Sequence, residues 1–521
     1  MSEHSGRGRR DAHRGKGRSI QGGRRNAAGR ERNRGGSGPR KFSAQAPGQR
    51  SRSADPARLC AYEVLQAVAI DDAYANLLLP NKIREHRLDR QDAAFATELC
   101  YGALRLSGTY DAILEKCVDR PIKRLDPQVL DVLRLGSHQL LNMRVPAHAA
   151  LNESVALTRD RIGAGAGGLV NAVLRRVSEK SIDEWVDELV SQAANEQEAL
   201  QIRFSHPVWI IRALRQALKL TGRPESELED TLAANNHPAD LNFVALPGLG
   251  SLEPLVEKGA EHNAIAPDAV DFRGGDVARL PGVKEGTIRV QDTGSQLIAR
   301  AVAALPITTN AESDKAWLDL CAGPGGKAAL LAALAEQHDA HLLANEPAEH
   351  RAKLVRQALE PIPKHAWDVR VGDGRTIDSD APAAGFGRIL VDAPCTGLGA
   401  LRRRPEARWR KQLSDVAELT PLQAELLNAA YRVLAPGGVL AYVTCSPHPV
   451  ETVLQVQDFL RDHPEAELGD AKAALNAVAK IELFDEHDRA VTDPVVAKTA
   501  QLWPHRHDSD AMFMALIHKP Q

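Results

Sequence analysis

Ala316-Trp317-Leu318-Asp319-Leu320-Cys321-Ala322-Gly323-Pro324-Gly325-Gly326-Lys327 passes from an apolar strand through a glycine-rich turn into a helix. Three glycines let a backbone approach a ligand closely, and a helix that starts there offers free N–H groups. The G-x-x-x-x-G-K-[ST] spacing of a phosphate loop is absent, and Ala328 follows the lysine. Outward from this turn, helix and strand alternate. The pattern predicts a helix over Lys327 to Glu336, a strand over His341 to Ala344 and a helix over Glu349 to Leu359. Strands over Val369 to Val371 and Arg388 to Val391 come next. Thr420 is read as the cap of a helix with Pro421 at its first position, ending before Pro436-Gly437-Gly438, and Val439 to Thr444 as the last clear strand. This βαβ rhythm predicts a doubly wound, mostly parallel α/β sheet of the Rossmann-like kind over residues 311–521, with its ligand beyond the carboxyl ends of the strands.

The polar clusters fall at those strand ends. Residues Cys321, Ala322, Gly323, Pro324, Gly325, Gly326 and Lys327 form the candidate cofactor turn. Glu346 lies just past the second strand, where an acid can hold a ribose diol. Asp373 follows the third strand and is placed to meet an adenine amino group, an N-cap or turn role being the plainer account. A nucleoside site without a polyphosphate cradle fits S-adenosylmethionine better than NAD. Asp392-Ala393-Pro394-Cys395 closes the fourth strand and Thr444-Cys445-Ser446-Pro447 the fifth. Core filling explains Cys60, Cys100 and Cys117 well, but fits poorly two cysteines at adjacent strand tips over one ligand edge.

The rest of the chain divides by composition. Residues 1–54 hold 15 Lys/Arg against 3 Asp/Glu, and the remainder holds 51 against 65. An Arg/Gly-rich segment of this kind cannot bury enough apolar area to offset chain entropy, so a disordered arm is expected, read as a non-specific RNA-binding arm in preference to a solvated tail. Residues 55–190 carry helical periodicity with almost no strand signal and predict a helical bundle. There Arg159, Arg161, Arg175 and Arg176 are candidates for an RNA-facing patch, and a solvated face accounts for them as well. Residues 191–310 mix helices with short apolar runs such as Leu241 to Leu246 and predict a small α+β connecting unit.

Several classes are excluded. No uninterrupted apolar run reaches about 18 residues, which argues against a membrane helix. The basic N-terminus lacks an apolar segment and does not read as a secretory signal. Six cysteines with no C-x₂-C pair argue against a disulfide scaffold and a zinc site, and for a reduced, cytoplasmic protein without metal.

Residues 55–521 resemble the Sun family of bacterial small-subunit ribosomal RNA cytosine-5 methyltransferases, whose members carry a NusB-like helical domain ahead of the catalytic one. Cys321 to Lys327, Asp392 to Cys395 and Thr444 to Ser446 are similar to the family's cofactor, cysteine and nucleophile motifs. Gly168 to Arg176, Phe204-Ser205-His206-Pro207 and Gln291 to Gln296 match its N-terminal half and the approach to its catalytic domain. Trp503 to Arg506 and Asp510 to Phe513 match its closing strands. Ala328 departs from the threonine common after Gly-Gly-Lys, and Glu346 from a frequent aspartate.

The resemblance implies an S-adenosylmethionine-dependent enzyme acting on a cytosine of 16S rRNA, an RNA partner, and a monomer. It makes Cys445 the nucleophile that adds to C6, Cys395 the assistant to its release, and Asp392 a carboxyl between cofactor and base. Lys327 orients the cofactor or the RNA backbone. Thiol addition is needed because C5 of cytosine is a poor nucleophile, and the thiol must be locally deprotonated. The target base must be unstacked. Alternatives are a non-catalytic RNA-binding assembly factor, or a cytosine-5 methyltransferase acting on tRNA or another RNA. A DNA cytosine-5 enzyme would keep its nucleophile in the Pro-Cys motif, which leaves Cys445 unexplained.

Overall fold

The structure is a computed structural model that describes residues 53–273 and 277–521. The arm read at 1–54 lies outside the described residues except for its last two. Ser53–Gln521 form one compact unit.

The helical half begins where Asp55 accepts from the N–H of Arg58 at 3.0 Å and Pro56 sits at the first helical position. Seven helices follow: α1 (Pro56–Ile70), α2 (Ala75–Glu85), α3 (Arg90–Arg105), α4 (Ser107–Cys117), α5 (Pro127–Leu141), α6 (Ala147–Arg161) and α7 (Gly167–Val177). Their apolar faces share one core that includes Leu99, Ile113, Leu133 and Val173, with Cys60, Cys100 and Cys117 buried in it. On the outside, Arg161 pairs with Glu63, and Arg176 bonds Asp119 and the Cys117 carbonyl.

Helices Glu196–Phe204, Val208–Leu220 and Glu227–Asn236 lead to a four-stranded antiparallel sheet of β1 (Leu241–Ala245), β2 (Glu261–His262), β3 (Ala269–Phe272) and β4 (Ile288–Val290), in the order β2-β3-β1-β4. Ser205 ends the first of these helices in the left-handed region at φ 56°, and its hydroxyl accepts from Gly108 N–H at 2.9 Å. Beside it His206 is wholly buried. The Phe204-Ser205-His206-Pro207 stretch is therefore a packed joint between helices.

The second sheet holds β5 (Ala316–Asp319), β6 (His341–Glu346), β7 (Trp367–Val371), β8 (Phe386–Asp392), β9 (Leu434–Thr444), β10 (Glu467–Gly469), β11 (Ala500–Gln501) and β12 (Phe513–His518). Its order is β10-β12-β9-β8-β5-β6-β7, with β11 on β12. The five strands β5 to β9 are parallel, and β12 runs antiparallel to β9. Successive residues face opposite cores. Leu390 joins Leu330 and Val355 on one side, while Ile389 and Val391 join Leu427 and Phe459 on the other. Cover on both faces is what a parallel sheet requires. The chain leaves β5 toward β6 and returns to the other side of β5 at β8, so the topological switch point lies between β5 and β8, where such sheets bind ligands.

Two local expectations are corrected. The helix expected to begin at Thr420 runs from Leu413 to Val433, capped by Gln412 in a capping box with Asp415, and contains Pro421. Pro421 deprives the Ala417 carbonyl of its helical donor; both residues are exposed, so water can satisfy that carbonyl. Strand β9 starts at Leu434 instead of Val439. It carries Pro436-Gly437-Gly438 as an irregularity opposite the step from Phe386 to Arg388, with Gly437 at φ 74°. Among the described residues, no helix is long and apolar enough to cross a membrane.

Candidate active site

The turn after β5 is fixed from β6. Ala322 N–H donates to the Asn345 carbonyl at 2.9 Å, and the Asn345 amide returns to the Leu320 carbonyl at 3.0 Å. Arg351 donates to the Gly323 carbonyl at 2.7 Å and faces Glu346 Oε2 at 3.5 Å. Gly325 turns the chain at φ 107° into the helix Gly326–Gln337. A Cβ on Gly323 would fall 2.0 Å from Glu346 Oε2, so the turn's backbone lies directly against that buried carboxyl.

Lys327 Nζ meets Asp392 Oδ2 at 2.8 Å, joining the start of this helix to the end of β8 across the switch point. Burial works against the ammonium, but Asp392 outweighs it and Lys327 titrates above an ordinary lysine. Burial, with Asp319, Asp392 and Glu346 nearby, pushes the Cys321 thiol well up and keeps it protonated. Asp373 caps the short helix Gly374–Asp380, accepts from Arg375 N–H at 2.9 Å and pairs with the Arg375 guanidinium. The turn lies beside the end of β5, since a Cβ on Gly374 would fall 3.2 Å from Leu320.

The two strand-tip cysteines are in contact, with Cys395 Sγ 3.4 Å from Cys445 Sγ. Both are partly exposed, while Thr396 and Ser446 after them are buried. The hydrogen-bond contact with Cys395 holds the Cys445 thiol below its ordinary value; burial and Asp392 oppose this, and Lys327 and Arg404 assist. The same contact, with burial, drives Cys395 well up. The contact thus shifts the two sulfurs in opposite directions, Cys445 toward the thiolate and Cys395 toward the thiol, a polarity that the sequence alone does not specify. Gly399 N–H donates to the Cys445 carbonyl at 2.9 Å, and a Cβ there would fall 2.1 Å from the Ala511 carbonyl oxygen.

Sequence reasoning missed three groups. Asp319, at the tip of β5, is 1% exposed and neither carboxyl oxygen has a hydrogen-bond partner among the described residues. Burial pushes its pKa up to about 7, with Asp392 adding to the rise and Lys327 opposing it. Glu451 is wholly buried and bonded to Thr396. The segment after Cys395 carries a run of arginines with fixed partners. Arg402 and Arg403 converge on buried Asp292 and Asp510. Arg408 is fully buried and donates to the carbonyls of Arg105, Ser205 and Asn235 and to the Asn236 side chain. Arg410 donates to the carbonyls of Val68, Asp72 and Ala73, and Glu406 accepts from Ala75 N–H. The three-arginine run at 402–404 was the available signal.

The donor set suits a nucleoside cofactor. A glycine turn with no room for a Cβ, a buried carboxyl against it, and an unpartnered buried carboxyl beside it can take up a diol and a cationic group. Fold and site together define a Rossmann-like methyltransferase with a helical N-terminal domain. Residues 306–518 match the family 16S rRNA methyltransferase RsmB/F, and residues 55–179 match the NusB family. The provisionally named methyltransferase Rv1407 of Mycobacterium tuberculosis is 44% identical over 481 residues, 91% of this chain and 98% of its own. Ribosomal RNA small subunit methyltransferase B of Serratia proteamaculans is 33% identical over 389 residues, 73% of this chain and 84% of its own. The crystal structure of PH0851 superposes with a TM-score of 0.72 at 23% identity, over 90% of this chain and 100% of that one, which establishes likeness of fold. The chain belongs to the RsmB/F family and is an S-adenosylmethionine-dependent RNA methyltransferase.

Proposed function

We propose that this chain methylates C5 of a cytosine in 16S rRNA, with Cys445 as nucleophile, Cys395 as its acid–base partner and Asp392 as the carboxyl on the base. The observation that carries the reading is the 3.4 Å contact between the two sulfurs, which eases deprotonation of Cys445 and opposes that of Cys395. The Cys445 thiolate adds to C6 and pushes electron density to C5. S-adenosylmethionine supplies the methyl group to that carbon. Consumption of the Cys445 charge removes the main cause that raises Cys395, which then gives its proton to solvent and, as thiolate, takes the C5 proton. The C6–S bond breaks, Cys445 leaves as thiolate, and Cys395 again donates to it.

Residues Cys321 to Lys327, Glu346, Asp373 and Asp392 are assigned to the cofactor. Glu346 would take the ribose diol and Asp373 the adenine edge, with Arg375 turning aside. The substrate assignment draws on the names of relatives such as the Serratia proteamaculans enzyme. The proposed division of labour gives residues 55–190 to RNA binding, 191–310 to connection and 311–521 to catalysis, in a cytoplasmic monomer. The basic arm 1–54 adds non-specific phosphate contacts.

The test uses purified protein, protein-free small-subunit rRNA and labelled cofactor. Cys395→Ala should trap a covalent RNA adduct on denaturing gels, and Cys445→Ala should give neither adduct nor product. Methylation by Cys445→Ala would move the nucleophile to the Pro-Cys motif. Methylation of tRNA in preference to the rRNA would keep the chemistry and change the substrate.

A further inference from the structure

Cys395 and Cys445 stand on the tips of separate strands, and a thiol–thiolate hydrogen bond tolerates little drift between them. Glu451 lies on the turn Pro449–Glu451, six residues past Cys445, and is fully buried. Its Oε1 accepts from Thr396 N–H at 2.8 Å and from the Gln423 amide at 3.3 Å. Its Oε2 accepts from the Thr396 hydroxyl at 2.5 Å. With its proton committed to Glu451, Thr396 Oγ1 accepts from the Ser446 hydroxyl at 3.2 Å, and Ser446 Oγ accepts from His448 N–H at 3.1 Å. Gln423 also donates to the Pro394 carbonyl at 2.9 Å, and Tyr442 OH to the Glu451 carbonyl at 2.9 Å.

Thr396 directly follows Cys395, and Ser446 directly follows Cys445. One carboxyl therefore ties both strand tips through the residue next to each sulfur. None of its three donors is a cation, so the carboxyl is buried on neutral hydrogen bonds alone, an arrangement that packing by itself does not reward.

We infer that Glu451 is a positioning residue for methyl transfer, which sets the spacing of Cys395 and Cys445 through Thr396 and Ser446. The inference rests on the two-cysteine reading above. Without the Glu451 carboxyl, Thr396 loses two acceptors and the Cys395 loop keeps only its backbone ties to β9, those of Ala393 and Gly399, on either side of the sulfur. The thiol then no longer faces the sulfur it serves, and both nucleophile activation and product release suffer.

The experiment uses the full chain with Glu451→Ala, Glu451→Gln and the near-isosteric Thr396→Val, against Cys395→Ala as reference. The first readout is the pH profile of iodoacetamide labelling at Cys445, followed by peptide mass spectrometry, and it needs neither RNA nor cofactor. The second is covalent RNA adduct on denaturing gels. Glu451→Ala and Thr396→Val should move the labelling profile to higher pH, as Cys395→Ala does, accumulate adduct, and slow methyl transfer by about 10²-fold, the scale of a small misplacement of reacting groups. Glu451→Gln, which keeps one acceptor oxygen, should fall between them and the wild type. If Glu451→Ala does not fold, Thr396→Val decides, because it lacks only one hydroxyl. A shifted profile in Cys395→Ala with wild-type profiles in the folded Glu451 and Thr396 variants overturns this inference alone. A wild-type profile and no adduct in Cys395→Ala overturns the two-cysteine reading and this inference with it.

Discussion

Lys327 Nζ stands 2.8 Å from Asp392 Oδ2, and both groups border the Cys445 thiol with opposite effects on it. The ammonium favours the thiolate and the carboxylate opposes it. Lys327→Met should leave Asp392 acting alone, so Cys445 labelling by iodoacetamide should need higher pH. Single-turnover methyl transfer should fall by about 10²-fold, comparable with loss of one preorganised electrostatic donor. An unchanged labelling profile would remove Lys327 from nucleophile activation and leave it a cofactor contact.

Gly323 offers a test of the cofactor edge that spares the cysteines. A methyl group there would strike Glu346 Oε2 at 2.0 Å, and the carboxyl must move or the turn must open. Gly323→Ala should weaken S-adenosylmethionine binding by about tenfold or more, the loss expected of one hydrogen bond to a charged group. Titration calorimetry measures this, with circular dichroism to confirm the fold. Undiminished affinity would place the ribose away from Glu346.

Asp319 makes stability depend on pH in an unusual direction for a carboxyl. Its pKa rises on folding from 3.8 to about 7, so between those values the folded state holds a proton that the unfolded state has lost. Stability from this group is present below pH 3.8 and is lost as pH climbs through 7. The loss is on the order of 4 kcal/mol, because each tenfold change in proton affinity is worth about 1.4 kcal/mol. Asp319→Asn should flatten the decline in thermal midpoint between pH 5 and pH 8. Parallel curves for variant and wild type would mean that another group governs that range.

Arg408 donates to four oxygens and has no carboxylate partner among the described residues, and burial with Arg105 nearby pushes its pKa down to about 9. Arg408→Lys keeps a cation but cannot reproduce the planar fork that reaches those acceptors. The variant should lose about 3–5 kcal/mol, the cost of breaking a buried charged network. A thermal midpoint lowered by several degrees would show it, and an unchanged midpoint would mean the carbonyls find water instead.

Much of the catalytic half is readable from local sequence because its signals are local. The Gly323 to Gly326 turn, the helix Glu349–Leu359 and both cysteine tips follow from periodicity and from glycine and proline placement within a few residues. Pro421 misled because exposure rescues a proline within a helix, and exposure is a tertiary property. Arg403 and Arg408 were opaque for a different reason. Their partners Asp292 and Asn236 lie 111 and 172 residues away, and no local pattern reports such a pairing. Glu451 carries no local signal that separates it from a surface acid, and its burial is set by the fold around the Cys395 loop.

Arg410 rests on the Val68 carbonyl in the last turn of α1 and on the Asp72 and Ala73 carbonyls just past it, and Glu406 takes up the first N–H of α2, so each charge sits at the helix end whose dipole it suits. The joint is made on one side largely of backbone groups, with the Asp72 carboxylate and the Tyr74 ring beside Arg410, and on the other of charged side chains. An unrelated helical module grafted in place of the native one would have to present a helix end and a helix start at the same spacing. The loop that carries Cys395 thereby also sets the terms on which any helical domain can dock against the catalytic one.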